Sequence, residues 1–129
     1  MREILFRGKR LGDGEWVDGS LFVDEKKDKH EILIGYVNYR VSWEVDPDTV
    51  GQYTGKTVKN GKVFDGDIGQ SIDGVFLVCW DEETSAFVMR FFDYPYETLY
   101  IEEMWDDAEI IGNIHDNPEL LKGEDYEVD

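Results

Sequence analysis

The sequence predicts a mainly β domain with a minor helical part, and three observations carry that expectation. Between Gln52 and Gly69 three glycine bends, Thr54-Gly55, Asn60-Gly61 and Asp65-Gly66, sit between runs of strand-type residues. From Ile68 to Phe92 short apolar runs alternate with tight polar turns, the pattern of an antiparallel meander that bends readily into a small barrel. At 129 residues, 41% hydrophobic and with 18 aromatic side chains, the chain suits one packed domain and not a disordered segment.

In chain order, residues 1–7 alternate loosely, with Ile4 and Phe6 on one side and Leu5 on the other, and read as a first strand. Gly12-Asp13-Gly14 is a turn. Glu15-Trp16-Val17 and Leu21-Phe22-Val23 read as two strands broken by a tight bend at Asp18-Gly19. Asp24 to Glu31 is charged and of mixed sign, which reads as a solvated loop. Ile32-Leu33-Ile34 resumes apolar character. Tyr36 to Trp43 alternates with aromatic and β-branched residues as another strand, and Glu44 to Thr49, holding Pro47, interrupts it. Tyr36, Tyr39 and Trp43 could stack on single-stranded bases, but only Arg40 lies among them, so packing is the favoured reading.

Lys59-Asn60-Gly61-Lys62 reads as a two-residue hairpin turn of type I′, since Asn and Gly tolerate positive φ at both central positions. The glycine-rich stretch lacks the GxxxxGK[ST] spacing and following helix of a phosphate loop. Ile68 to Ile72, Val75 to Trp80 and Ser85 to Phe92 are the meander strands, with Phe87, Met89 and Phe91 on one face. Pro95 excludes a helix at the start of the acidic, aromatic segment 93–107. Thr98 to Ile101 suits a strand, Ile101 to Asp107 a helical turn, and Ala108 to Ile114 a strand. Asn117 as N-cap and Pro118 at the first helical position predict a short C-terminal helix ended by Gly123, with a frayed acidic tail.

Five segments taken together resemble the YopX family of phage and prophage proteins: IleLeuPheArg at Ile4 to Arg7, GlnTyrThrGly at Gln52 to Gly55, LysAsnGlyLys at Lys59 to Lys62, AspGlyAspIle at Asp65 to Ile68, and IleGlyAsnIleHisAspAsnProGluLeuLeu at Ile111 to Leu121. Their order and spacing cover nearly the whole chain; the departure is Lys56-Thr57-Val58, where the family usually has Leu, Lys or Asp. The resemblance implies a single β-rich domain over 1–129 with an SH3-like barrel, its core near 50–115 and N-terminal strands 1–45 packed on it, and no established activity. The GlyAspIle start followed by tight hairpins agrees with such a barrel. Thr54, Gly55, Asn60, Gly61, Gly66, Asp67, Gly112, Asn113, Asn117 and Pro118 are the structural residues of the shared motifs.

Charge divides the chain. Residues 1–64 hold 11 acidic and 11 basic side chains, whereas residues 65–129 hold 19 acidic and 2 basic, so the whole net charge of −17 belongs to the second half. Such a field repels polyphosphates and disfavours nucleic acid as a partner, except through Arg2, Arg7, Lys9 and Arg10. No apolar run approaches the roughly 18 residues of a membrane span and no signal pattern opens the chain, so a cytoplasmic protein with no membrane partner is expected. The one cysteine, Cys79, lies in an apolar run and is expected to be buried and inert.

Catalytic readings find little support. Asp81, Glu82 and Glu83, and Glu102, Glu103, Asp106 and Asp107, lack the spacing of a calcium loop. Asp65 and Asp67 suit turn capping, His30 lies in a charged stretch, and His115 suits a strand-to-helix junction with no nucleophile at a useful spacing. Ser20, Ser42, Ser71 and Ser85 lack a GxSxG setting. No catalytic residue, metal or cofactor is expected, and no class of small-molecule ligand is indicated. The expected function is a non-enzymatic interaction protein, binding a protein partner or a second copy through Tyr94, Tyr96, Tyr100, Glu102, Glu103 and Trp105, because aromatic residues are enriched at interfaces. The alternatives are a DNA-mimicking acidic face that blocks a host protein, nucleic-acid binding by the basic cluster, and a metal-dependent enzyme built on the second-half carboxylates.

Overall fold

The structure, a computed structural model, describes residues 3–35, 39–92, 98–104 and 106–121. Residues 1–53 and 54–129 form two compact units. Both are mainly β, and the helical residues described are short 3-10 turns.

In the first unit, β1 (Phe6–Lys9), β2 (Trp16–Asp24), β3 (Lys29–Gly35) and β4 (Arg40–Val45) pair antiparallel in the order β4-β3-β2-β1. The first residues of β5 (Gly51–Val58) lie on the other side of β1. Period-two alternation puts Leu21, Ile32 and Trp43 in one cross-strand row, and Ile32 and Val45 are fully buried on that face. Beyond Lys9 the chain turns back over the free edge of β4. Arg10 bridges Val45, Leu11 N–H donates to the Glu44 carbonyl at 3.1 Å, and Asp46 N–H donates to the Lys9 carbonyl at 2.8 Å. A 3-10 turn over Pro47–Thr49 follows, capped by the Asp46 carboxylate on Asp48 N–H.

Several expectations for this unit are corrected. β2 runs unbroken through Asp18-Gly19, because Gly19 serves a close approach and not a bend: a Cβ there would collide with the Leu33 carbonyl of β3. The loop expected over Asp24 to Glu31 is a hairpin whose strands reach Asp24 and Lys29. Asp28 takes φ +54° at its tip, and the Asp24 carboxylate receives Lys26 and Lys27 N–H. Charge content alone could not distinguish this tight turn from a longer loop. The first strand is Phe6–Lys9, and the one after β3 is Arg40–Val45; Tyr36 lies outside the described residues.

In the second unit, the rest of β5 pairs with β6 (Gly61–Phe64). The meander strands β7 (Asp67–Ser71), β8 (Gly74–Asp81) and β9 (Ala86–Phe91) join β10 (Thr98–Tyr100) and β11 (Glu109–Asn113) in an antiparallel sheet ordered β10-β9-β8-β7-β11. Phe87, Met89 and Phe91 share one buried face, as their alternation predicts. The core gathers Val58, Val63, Phe76, Val78, Met89, Phe91, Met104 and Ala108, with the Phe76 and Phe91 rings 5.3 Å apart in a tilted pair.

Three expectations fail here. Neither sheet closes into a barrel among the described residues: β10 has only three residues, and the outer edge of β11 meets a side chain instead of a strand. The C-terminal helix is a 3-10 turn, Pro118–Leu121, because the Asn117 carboxamide receives Asn113 N–H at 3.3 Å and so points back at β11. Residues after Leu121, including Gly123, lie outside the described residues. The hairpin at Asn60-Gly61 is not type I′: its two turn residues are Lys59 and Asn60, and only Gly61, at +135°, has positive φ.

Gly69 faces Phe76 across the β7–β8 ladder, with the fully buried ring lying over it. A Cβ at Gly69 would come closer to the ring's Cζ than two carbon atoms can approach. Gly69→Ala is therefore expected to cost about 1–3 kcal/mol through a displaced Phe76, read as a lowered urea midpoint at unchanged slope.

Candidate functional site

The acidic, aromatic segment singled out from the sequence is only partly described. Tyr94, Tyr96 and Trp105 lie outside the described residues. Tyr100 ends β10 and is 45% exposed, and Glu102 and Glu103 follow it in a 3-10 turn over Ile101–Glu103. Ile101 packs against the core and Met104 is buried within it, which turns Glu102 and Glu103 outward. Glu103 is engaged within the chain, its Oε2 receiving Tyr100 N–H at 2.9 Å.

Beside Tyr100 a cleft of about 160 Å³ is lined by Asp81, Thr84, Val88, Thr98, Leu99 and Tyr100. Register sets its geometry. Tyr100 lies opposite Val88, and Val88 opposite Cys79, so these side chains form a row on the sheet face away from Phe87 and Met89. Val88 is 1% exposed. Asp81 is held by the Thr84 hydroxyl at 2.8 Å and by Arg90 at 3.5 Å, and Glu82 and Glu83 extend the acidic side in the adjoining turn. The sequence singled out Tyr100 and missed Val88, Thr84 and Thr98. The alternation of β9 held the signal for Val88, which falls between the core positions Phe87 and Met89.

The basic residues proposed for nucleic acid are drawn onto aromatic rings of the first unit. Arg2 lies outside the described residues. Arg7 and Lys9 both sit over Trp16, at 4.7 and 5.7 Å from the ring centroid. Arg10 stands 5.4 Å over Trp43, and its guanidinium grips Asp13, with Nε donating to Oδ1 at 2.9 Å and Nη2 donating to Oδ2. That contact holds the Asp13 carboxyl below the usual carboxylate range and raises Arg10.

The motif residues converge in the second unit as a hydrogen-bonded frame. Gly66, at φ +93°, suits the third position of a type II turn; its N–H donates to the Val78 carbonyl and its carbonyl accepts Ile114 N–H, each at 2.8 Å. Asp67, 1% exposed, receives Phe64 N–H at 2.7 Å, and the Thr54 hydroxyl donates to the Val63 carbonyl at 2.9 Å. Asn113 Oδ1 accepts the N–H groups of His115 and Asp116, closing the turn after β11. Gly112 lets the chain pass close to Asn117. Asn60 spans 50 positions of sequence: its Nδ2 donates to the Ile110 carbonyl at 2.8 Å and its Oδ1 accepts Ile110 N–H at 3.1 Å. That role has no signature in the sequence, where Asn60 reads as a turn residue.

His115 packs near Gly66 at the end of β11, while His30 lies in β3 opposite Val23 and Val45. Among the described residues no three His, Cys, Asp or Glu side chains gather so as to hold a metal ion, and no helix is long and apolar enough to cross a membrane.

A family model described as YopX protein matches residues 5–122. Among curated proteins none matches.

Cys79 is half-buried, and burial pushes its thiol above the ordinary range. Less thiolate at a given pH means slower alkylation. The labelling rate of the folded protein is expected to rise at a higher pH than in urea, checked by timed reaction with iodoacetamide between pH 7 and 10; coincident profiles would show that burial leaves the thiol unaffected.

Proposed function

The chain belongs to the YopX family, a family of phage type, and on that premise we propose that it is a non-enzymatic interaction protein that binds a protein partner at the acidic cleft beside Tyr100. The observation that carries this reading is the conjunction of an exposed aromatic wall at Tyr100, an apolar base at Val88 and the Asp81 carboxylate in one cleft, with exposed Glu82 next to Asp81 in sequence and exposed Glu102 in the turn after Tyr100. Such a cleft suits a basic segment with one apolar side chain: the apolar group fills the cleft, and the Lys or Arg residues around it meet the carboxylates. Glu102 faces outward and is available to a partner, whereas Glu103 keeps its bond to Tyr100 N–H. The family resemblance also supports an SH3-like relation for the hairpins of the second unit.

Direct nucleic-acid binding has less in its favour. Arg7, Lys9 and Arg10 already rest on Trp16 and Trp43, Arg10 is neutralised by Asp13, and the second half repels phosphate.

The test is capture from host lysate on the tagged protein at low and high salt, with and without nuclease. The reading requires a protein that survives nuclease and weakens with salt. Tyr100→Ala is expected to weaken the purified pair by about 1–3 kcal/mol, while the thermal midpoint changes by no more than a few degrees because Tyr100 is half exposed. Recovery of nucleic acid, or capture indifferent to Tyr100, would remove the basis for the cleft.

A further inference from the structure

The strand ends are treated unequally. At β11 the N–H and carbonyl of Ile110 are taken by Asn60, at β10 Tyr100 N–H is taken by Glu103, and at β6 Phe64 N–H is taken by Asp67. At β4 the Glu44 carbonyl and Asp46 N–H are taken by Leu11 and Lys9. The β3–β4 register is regular from Gly35–Arg40 to His30–Val45. Because Glu44 points its backbone outward, period two points those of Ser42 and Arg40 outward as well. Both are exposed, and among the described residues nothing covers this half of the edge. An uncovered edge is a template for another strand.

We propose that a second copy of this chain adds antiparallel to the Arg40–Ser42 edge across a two-fold axis at Val41. The edge is self-complementary in that register. Each Arg40 faces Ser42 of the other copy and exchanges two ladder hydrogen bonds with it, so the cationic side chains do not oppose one another. Val41 meets Val41, and Tyr39 meets Trp43. Tyr39 is 61% exposed. Trp43 borders an open dish of about 360 Å³ formed with Arg10, Leu11, Gly12, Asp13 and Glu44, into which the facing Tyr39 ring fits. Pairing stops there, because beyond Trp43 the edge is already occupied by Leu11.

Charge argues for a contact in this unit. Residues 1–53 hold 11 acidic and 8 basic side chains, and residues 54–129 hold 19 and 5. Two copies repel through their second units and approach at least cost through their first. Salt therefore strengthens this association, opposite in sign to a contact between unlike charges.

Sedimentation velocity over a concentration series, at low and moderate salt, is the experiment. The wild type is expected to show a concentration-dependent dimer that tightens as salt rises. Ser42→Pro removes an outward N–H while sparing the β3–β4 ladder, and is expected to abolish the dimer with an unchanged circular dichroism spectrum. Ser42→Lys, set against the other copy's Arg40, is expected to weaken it about tenfold and Ser42→Glu to strengthen it by a similar factor, since the symmetric contact counts twice. These two exposed substitutions decide the matter even if the proline variant misfolds. A monomer at every concentration and salt, a dimer indifferent to Ser42, or the same response to Lys and Glu would each overturn the proposal.

Discussion

The second unit depends on the backbone of one residue, Gly66. Its N–H reaches the Val78 carbonyl in the middle of β8 and its carbonyl receives Ile114 at the end of β11, so a single bend fixes two strands that are 36 positions apart in the chain. Only a residue at ease with φ near +93° can present both groups in those directions. Asp67, one residue on, completes the bend from inside, its buried carboxylate accepting Phe64 N–H where an apolar side chain would leave a donor unmet. With these in place β6 turns into β7, and the meander follows from alternation alone.

A second theme is the way the strand edges end. In the second unit, side chains close them: Asn60 caps the outer edge of β11 and Glu103 that of β10, so neither sheet margin offers a long run of open backbone. In the first unit, closure comes from the chain itself, as β1 continues through Arg10 and Leu11 over the end of β4. The same turn carries Arg10 onto Trp43 and into the grip of Asp13, which pairs that one charge within the chain. At Arg10, charge read from sequence therefore overstates what is left unpaired.

The meander was legible because period-two patterning and tight turns are local properties, and Phe87, Met89 and Phe91 announce their shared face directly. Closure was not legible. Whether a sheet closes depends on the length and stagger of its last strands, and a three-residue β10 gives no warning of that in sequence. In sequence Gly19 and Gly66 both look like bends, which holds at Gly66 but fails at Gly19, where the neighbouring carbonyl excludes a side chain. The candidate site was half legible: exposed Tyr100 could be singled out by composition, whereas Val88, Thr84 and Thr98 reach it through cross-strand register. Long-range contacts such as Asn60 with Ile110 leave no local trace at all.

The Asn60–Ile110 pair rests on a carboxamide that is followed in sequence by a glycine. Asn followed by Gly is the dipeptide whose side-chain amide is most readily attacked by the next peptide nitrogen, and here the small Gly61 leaves that nitrogen uncrowded. Conversion of the carboxamide to a carboxylate would replace the donor that reaches the Ile110 carbonyl with a negatively charged acceptor. That single exchange would thus loosen the contact between the β5–β6 hairpin and β11 while leaving every apolar contact of the core as it is.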